Sequence, residues 1–399
     1  MLRSGSICIS FLYKYLTSDN SGGNSELVKN HNKLRCLTET FQSHGGVLAK
    51  LSQILCTDDE DNKVFSDCNP FSRQKTIDYL KKEYEDKVFF KNVNYIDFEV
   101  YKSGSIGQVH KATLENDGIL KDIVIKAQYV GLEEQVKVDL KILDLIISTL
   151  YKSSDLSNAM VDITTKLYEE LDYSNELVNQ KLIYDIWTDS ENIKIAKVIP
   201  ELSTKKILTM EYIDAENLTD FIKNSTSEDQ NIIGSHIIEF IFTNIYKHGI
   251  FYSDIHYGNF LIENKKLYVM DFGCLNMIDN ILLQNLKDIH RSMLENDPLK
   301  FYIILEDMGI INNTTISAES KEYIYEYFKV QYEPWTTENF EFTPEWLEIS
   351  THKNTELMKE WNLPSNMIYL NKIPYGLYHI LTKLKVKNSF LSFFEKLLA

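Results

Sequence analysis

The feature that constrains this chain most is a pair of polar motifs joined by two short strand-like runs. Asp254 and Asn259 occupy the ends of a D-x-x-x-x-N pattern, and Asp271-Phe272-Gly273 follows twelve residues after Asn259. The runs NFLIEN and KLYVMD between them flank a turn signal at Asn264 to Lys266. A strand–turn–strand of this length folds back on itself, so the two motifs are expected to lie close together.

Oxygen-bearing side chains in this order suit phosphoryl transfer, which depends on positioning and on neutralising charge. The pattern is that of a kinase catalytic loop followed by a D-F-G metal-binding turn. It predicts that Asp254 lies beside the attacking oxygen and that Asn259 and Asp271 bind Mg²⁺, a hard cation. The alternative is two chance acidic turns, which the flanking strands disfavour.

A lysine inside an apolar run is the second candidate. Lys126 lies in IVIKAQ, and an ammonium buried without a partner costs several kcal/mol. The position therefore predicts a carboxylate partner and a phosphate nearby; the alternative is a strand-edge lysine that points to water. Just upstream, small residues in a loop would let main-chain N–H groups approach phosphates, although an ordinary hairpin turn fits equally well. The loop candidates are Ser103, Gly104, Ser105, Ile106 and Gly107.

Changes between helix-like and strand-like residue patterns along the chain predict three regions. Residues 1–90 are expected to form a helical extension, 91–214 a small lobe rich in strands, and 215–399 a mainly helical large lobe. The predicted fold class is α+β, a two-lobed protein-kinase-like fold with a small antiparallel sheet. Its strands are expected at 96–101, 106–114, 122–128, 193–199 and 205–213, and one helix is expected over 156–187.

Composition limits the partners. There are 42 basic and 58 acidic residues, for a net charge of −16, which disfavours nucleic acid because phosphate backbones need a basic surface. A nucleotide such as ATP would then need a local lysine and a divalent metal. The five cysteines are scattered and lack CxxC pairs, which indicates free thiols in a reducing compartment and disfavours structural zinc.

Localisation signals are weak. The apolar run Ile7 to Leu12 is too short to span a bilayer, and no stretch approaches about 18 uninterrupted apolar residues. A transmembrane segment is therefore not expected, while peripheral contact with a membrane or lipid stays open. A mitochondrial presequence also stays open, although Arg3 is the single arginine of this N-terminal segment.

Several motifs in order resemble the UbiB/ADCK family of atypical kinases. The resemblance runs from about Gly45 to Asp279 and implies a kinase-like fold, Mg-ATP as ligand and an association with ubiquinone biosynthesis. It also implies that Glu176 pairs with Lys126 and that the hinge from Glu211 to Ile213 contacts adenine. The matching segments are SIGQVHKA, IVIKAQYVGLEEQVKVDL, EELDYSNE, ILTMEYIDAENL, FYSDIHYGNFLI and VMDFG.

Two further family motifs concern regulation. The family's K-x-G-Q motif corresponds to Lys50-Leu51-Ser52-Gln53, with Lys50 and Gln53 as its matching residues, on a helix that covers the cleft in family members. Its E-x-D motif corresponds to Glu170 and Asp172, which would face that helix. Without the resemblance, Lys50, Glu170 and Asp172 would be interpreted as a solvated helix face.

Departures from the family pattern leave the regulation and the activity open. Ser52 replaces a glycine, Ile255 and Tyr257 replace prolines, and Lys102-Ser103-Gly104 replaces an alanine-rich loop. An A-P-E element, which docks peptides in protein kinases, is not found after the D-F-G turn. The chain is thus expected to be an active kinase or ATPase, or alternatively an ATP-binding pseudokinase that recruits partners. A small-molecule kinase of the choline or aminoglycoside type is disfavoured by SIGQVH, and the phosphoacceptor is not predicted.

Overall fold

The computed structural model describes residues 72–84, 93–104, 106–116, 118–150, 168–362 and 372–398. These divide into two compact units. The first contains the described residues up to Leu182 together with Ala196–Ile213, and the second contains Ile183–Ile195 and the described residues from Asp214 onward. Lys50, Gln53 and most of the predicted extension lie outside the described residues. The division into residues 1–90, 91–214 and 215–399 stays a prediction.

The elements up to residue 213 are α1 (Arg73–Glu83), β1 (Val93–Ile96), β2 (Lys102–Ser103), β3 (Gly107–Asn116), β4 (Ile119–Gln128), α2 (Leu132–Leu150), α3 (Tyr173–Trp187), β5 (Ile193–Ile195) and β6 (Ile207–Glu211). An antiparallel sheet forms the centre of the first unit, with the strand order β1-β3-β4-β6 and β2 also paired with β3. Strands β3 and β4 form a hairpin in which Asn116 lies opposite Ile119, and Gly118 in its turn has φ 77°, which glycine adopts without a steric penalty.

Helix α1 packs on the sheet face that carries the buried side chains of Ile123, Ile125 and Ala127. Each large apolar side chain buried there contributes about 1.5–3 kcal/mol. A buried polar contact joins the same two elements, because Gln108 Nε2 on β3 donates to Thr76 Oγ1 on α1 at 3.0 Å. The Gln of the SIGQVH motif therefore ties α1 to the sheet.

Two predicted strands differ from the structure in extent or, for part of the strand, in partner. Of the predicted strand 96–101, only Ile96 lies in β1. The N–H groups of Asp97 and Tyr101 still donate to β3, to the oxygens of Lys111 and Val109, but between them Asp97 Oδ1 accepts the N–H of Glu99 at 3.0 Å, a local bond that interrupts the ladder.

The predicted strand 193–199 divides in two. Its first part, β5, belongs to the second unit and pairs there in parallel, with Ile193 opposite Leu267. Its second part joins the antiparallel sheet as predicted, with Val198 opposite Met210 of β6.

The predicted helix 156–187 is also interrupted. Residues 168–170 are helical, but α3 begins only at Tyr173. The side chain of Asp172 accepts the N–H of Ser174 at 2.9 Å, a local bond that favours a helix start over a continuous helix. Residues 151–167 lie outside the described part of the chain.

The second unit is mainly helical, and its core surrounds the helix Ser227–His248, α5, which buries Ile237, Phe240 and Ile241. This helix ends at Gly249 with φ 61°, which confirms the predicted cap. Its elements are β7 (Glu216–Asn217), α4 (Leu218–Asn224), α5 (Ser227–His248), β8 (Ile250–Tyr252), β9 (Phe260–Glu263), β10 (Lys266–Val269), β11 (Leu275–Met277), α6 (Asn280–Leu294), α7 (Pro298–Asp307), α8 (Ala318–Thr336), β12 (Phe340–Glu341), α9 (Pro344–Thr351), α10 (Thr355–Met358), α11 (Lys372–Lys383), β13 (Lys387–Asn388) and α12 (Leu391–Leu398).

Within the described ranges, no helix combines the length and the apolar character that crossing a bilayer needs.

Candidate active site

In the first unit, Lys126 on β4 forms an ion pair with Glu176, which lies in the first turn of α3. The ammonium donates to both carboxylate oxygens, at 2.7 and 2.8 Å. The side chains are 18% and 5% exposed, so each charge offsets the other where water is scarce. The pairing that the resemblance implies is present, while its role towards a nucleotide stays a prediction.

The candidate phosphate loop closes the β2–β3 hairpin. The N–H of Gly104 donates to the carbonyl oxygen of Gly107 at 2.8 Å. This main-chain N–H was expected to face phosphate, but the turn itself uses it. A β-carbon at Gly107 would lie 2.6 Å from the oxygen of Ala127 and 2.8 Å from the hydroxyl of Tyr173. At Gly104 the nearest atom would be 3.6 Å away, so only position 107 requires glycine.

The remaining loop residues lie in the strands or beside them. Ser103 pairs with Gln108 across the β2–β3 ladder, and the carbonyl oxygen of Ile106 accepts the N–H of Tyr129 at 3.1 Å. Ser105 lies outside the described residues.

The predicted hinge continues β6. The N–H of Glu211 donates to the oxygen of Lys197 at 3.0 Å, and the N–H of Tyr212 donates to the oxygen of Asp122 at 3.1 Å. Both groups are thus engaged in the protein, so an adenine contact there would use carbonyl oxygens or the N–H of Ile213, the last residue of the first unit.

The family E-x-D residues differ in environment. Glu170 is buried, with 9% of its surface exposed, which the solvated alternative does not predict. Partial burial acts to raise the pKa of Asp172, but hydrogen bonds from Ser174 and the charge of Lys205 outweigh it, and the pKa lies below its ordinary value. The covering helix that both would face lies outside the described residues.

In the second unit, the catalytic loop follows β8. Ser253 continues the β8–β11 ladder, with its N–H donating to the oxygen of Cys274 at 3.2 Å. The amide nitrogen Nδ2 of Asn259 donates to the main-chain oxygen of Asp254 at 2.9 Å and to its Oδ2 at 3.3 Å. These bonds bring together the first and last residues of the D-x-x-x-x-N pattern.

The D-F-G turn lies beside this loop, as the spacing predicts. Strands β9 and β10 pair in antiparallel fashion, and the N–H of Met270 donates to the oxygen of Asn259 at 2.8 Å. Asp271 has φ 61°, a left-handed conformation that is uncommon outside glycine and is concentrated at functional sites. Phe272 is fully buried, which anchors the turn.

Tyr252, the last residue of β8, is influenced by both acidic side chains of this region. It is buried, and its hydroxyl donates to the oxygen of Met270 at 2.9 Å. Burial, together with the negative charges of Asp254 and Asp271, raises the pKa of Tyr252 well above its ordinary value. Two carboxylates that act on one hydroxyl make this region suited to a cation.

The donor chemistry of the second unit fits Mg²⁺. Because Asn259 uses its amide nitrogen for Asp254, its amide oxygen is the atom that a metal would use, and Asp271 adds a carboxylate. Across the described ranges, no three His, Cys, Asp or Glu side chains form a metal-holding group. A magnesium ion held by Asn259 and Asp271 would complete its coordination with phosphate and water, as this ion commonly does.

Helix α11 supports the catalytic loop, and the sequence did not predict this contact. A β-carbon at Gly376 would lie 2.4 Å from the oxygen of Ile255, and Tyr257 Oη donates to the oxygen of His379 at 3.3 Å. Ile255 and Tyr257 are the two positions at which this loop departs from the family's prolines. No local pattern around Gly376 signals the contact.

His256, inside the loop, was also missed. Its Nδ1 accepts the N–H of Gly258 at 3.0 Å, and its Nε2 lies 3.6 Å from Asp254 Oδ2. The H-x-G sequence within the loop is the pattern from which this cap could have been predicted.

The expectation that Lys126, Asp254, Asn259 and Asp271 converge on one triphosphate involves residues of both units and stays a prediction.

Comparisons with known proteins agree on the family. The model of the ABC1 atypical kinase-like domain matches residues 63–303. The chain is 29% identical over 227 residues to the chloroplastic ACTIVITY OF BC1 COMPLEX KINASE 8 of Arabidopsis thaliana, covering 54% of this chain and 29% of that protein. It is 26% identical over 242 residues to the probable protein kinase UbiB of Pseudomonas putida, covering 58% and 44%. The chain thus spans less than half of the length of these two relatives.

A solved structure agrees on the fold. A Mycobacterium tuberculosis protein, determined in complex with erythromycin, superimposes with a TM-score of 0.69 at 22% identity, covering 82% of this chain and 83% of that one. Together with the family match, this confirms the predicted α+β kinase-like fold and the UbiB/ADCK resemblance. The chain belongs to the family of ABC1 atypical kinase-like domains.

Proposed function

We propose that this chain binds Mg-ATP and either transfers the γ-phosphoryl group to an acceptor or hydrolyses ATP. The observation that carries the proposal is the bonded pair of Asp254 and Asn259, held beside Asp271 by the β9–β10 hairpin. A carboxylate, an amide oxygen and a second carboxylate at this spacing are what phosphoryl transfer requires. A link to lipid or quinone metabolism, which the UbiB/ADCK resemblance implies, belongs to the same proposal.

Each unit would supply part of the chemistry. Lys126 would bind phosphate oxygens, and Glu176 would keep the ammonium charged and oriented. Asp254 would orient the attacking hydroxyl or water and receive its proton. In that reaction the new bond joins the attacking oxygen to the γ-phosphorus, and the bond from phosphorus to the leaving ADP oxygen breaks.

Asn259 and Asp271 would hold Mg²⁺, which offsets the phosphate charge when bound. This matters in a chain with a net charge of −16, because its field opposes the approach of a polyanion. The metal ligands and Lys126 would therefore be needed for nucleotide binding as well as for catalysis.

The test compares ATP hydrolysis by the wild type and by Asp271→Asn in the presence of Mg²⁺. We expect slow turnover that disappears in this variant and persists in Asp307→Asn, which removes an exposed carboxylate from α7. Radiolabel from γ-phosphate in protein or in an added acceptor would indicate a kinase, and release of free phosphate alone would indicate an ATPase.

The outcome also decides between the proposal and its alternative. A thermal shift with Mg-ATP is expected for an enzyme and for a binding module alike, through ligand linkage. Zero turnover with a retained thermal shift would favour the pseudokinase. Absence of both would refute nucleotide binding.

A further inference from the structure

His256 lies beside the Asp254 carboxylate with its two ring nitrogens in different roles. Nδ1 accepts the main-chain N–H of Gly258 at 3.0 Å. A nitrogen that accepts a hydrogen bond carries no proton, so the proton of the neutral ring is on Nε2. Nε2 lies 3.6 Å from Asp254 Oδ2, and the N–H therefore lies on the side of the ring that borders the carboxylate.

The main chain holds this ring in place. His256 precedes the short helical turn Tyr257–Asn259 and caps it, a role that serine or aspartate more often fills. A β-carbon at Gly258 would lie 2.9 Å from Cε1 and 3.1 Å from Nδ1 of the ring. The glycine is therefore what leaves room for the imidazole.

Two groups of the loop converge on the same carboxylate oxygen. Asn259 Nδ2 lies 3.3 Å from Asp254 Oδ2, and His256 Nε2 lies 3.6 Å from it. The second distance is longer than a hydrogen bond, but catalytic contacts commonly shorten when substrate binds. The side chains of His256 and Asp254 are 41% and 27% exposed, so a substrate can reach both.

We propose that His256 is a positioning residue, whose Nε2–H sets the orientation of the Asp254 carboxylate towards the attacking hydroxyl or water. The inference rests on the proposed function and deepens it. His256 acts through Asp254 rather than on the phosphates, so its loss slows the chemical step and leaves Mg-ATP binding intact.

His256→Asn separates positioning from capping. The asparagine oxygen can still accept the Gly258 N–H, since asparagine is a good cap, whereas its shorter side chain does not reach Asp254. We expect kcat to fall about 10- to 100-fold, the size of a lost charge-assisted hydrogen bond. The KM for Mg-ATP and the thermal shift with Mg-ATP stay within about twofold, the pattern of an interaction lost only in the transition state. His352→Asn, at an exposed position, is the control.

Two kinetic results would overturn the inference. One is wild-type kcat in His256→Asn. The other is loss of the Mg-ATP thermal shift together with kcat, which would mean that His256 serves only to shape the loop.

A second measurement does not depend on turnover. In ¹⁵N NMR of the full chain, the His256 ring, identified by its loss in His256→Asn, should show the Nε2–H tautomer. Its Nε2 resonance should move in Asp254→Asn and not in Asp307→Asn. An Nδ1–H tautomer, or an Nε2 resonance unaffected by Asp254→Asn, contradicts the positioning role. If the wild type neither hydrolyses ATP nor transfers its γ-phosphoryl group, the proposed function fails while this spectrum still decides the geometry.

Discussion

Gly376 on α11 lies so close to the catalytic loop that a β-carbon there would be 2.4 Å from the carbonyl oxygen of Ile255. That separation is well inside van der Waals contact, so no other residue fits without moving main chain. The neighbouring bond from Tyr257 Oη to the oxygen of His379 attaches the same helix to the same loop. The position of Asp254 and Asn259 therefore depends on a helix more than a hundred residues further along the chain.

Gly376→Ala should displace the catalytic loop. Overpacking of this kind costs about 1–3 kcal/mol, so we expect a lower unfolding temperature and a larger fractional loss of ATP turnover than of Mg-ATP binding. Lys383→Ala, at an exposed position of the same helix, should change neither quantity. Unchanged turnover and unfolding temperature in Gly376→Ala would mean that the loop does not depend on this contact.

Lys126→Met and Glu176→Gln should both weaken Mg-ATP binding, because Glu176 acts through the lysine. Loss of a charge-assisted contact corresponds to roughly a 10- to 100-fold weaker affinity for Lys126→Met, with a smaller effect for Glu176→Gln. The double variant should bind no more weakly than Lys126→Met alone, since coupled residues are not additive. Binding of a fluorescent ATP analogue with Mg²⁺ measures this, and additive losses would argue against the coupling.

Gly107→Ala and Gly104→Ala form a matched pair within one loop. The β-carbon at position 107 would lie 2.6 Å from a main-chain oxygen, whereas at position 104 the nearest atom would be 3.6 Å away. We expect Gly107→Ala to destabilise the protein by about 1–3 kcal/mol and Gly104→Ala to lie within about 1 kcal/mol of wild type. Urea unfolding compares them; equal stabilities would contradict the steric argument.

His290 should make stability depend on pH. Burial, and then the charge of Arg291, lowers the pKa of His290 to about 3, against about 6.5 in an unfolded chain. The unfolded state thus binds the proton first, so the contribution of the neutral imidazole is complete above about pH 6.5 and is lost as the pH falls towards 3. The slope for one proton is about 1.4 kcal/mol per pH unit.

His290→Gln should remove that part of the slope. Urea midpoints at pH 7.5 and pH 5 should differ less in this variant than in the wild type, while His352→Asn should keep the wild-type difference. Burial also lowers the pKa of His110 and His236, so some acid sensitivity will remain in every variant. An unchanged difference in His290→Gln would show that His290 titrates normally in the folded protein.

Local spacing was enough to predict that Asp254 and Asn259 lie in one loop and that the D-F-G turn lies beside it. Asp254 and Asn259 are close along the chain, and their bond needs only a tight loop. The hairpin that follows turns at Asn264 and Lys265, with φ of 50° and 62°, as its turn residues indicate. The burial of Lys126 in an apolar strand also predicted that the lysine has a carboxylate partner. The identity of that partner, Glu176, came from the family resemblance.

Partners that lie far apart along the chain were not predictable in this way. The run around Ile193 has the alternation of a strand, yet alternation does not specify which sheet a strand joins, and β5 pairs with Leu267 and its neighbours in the second unit. The interruption before Tyr173 depended on a single side-chain bond of Asp172, which competes with a continuous helical pattern.

By itself, the sequence determined the order of most elements, the placing of Asp254 and Asn259 in one loop beside the D-F-G turn, and the family. These follow from short-range spacing and residue type. Only the tertiary structure decided that α11 packs on Ile255, that Gly107 rather than Gly104 requires glycine, and that the His256 ring borders Asp254. Each of those depends on how closely atoms from separate segments approach, and such distances are set by packing rather than by any local pattern.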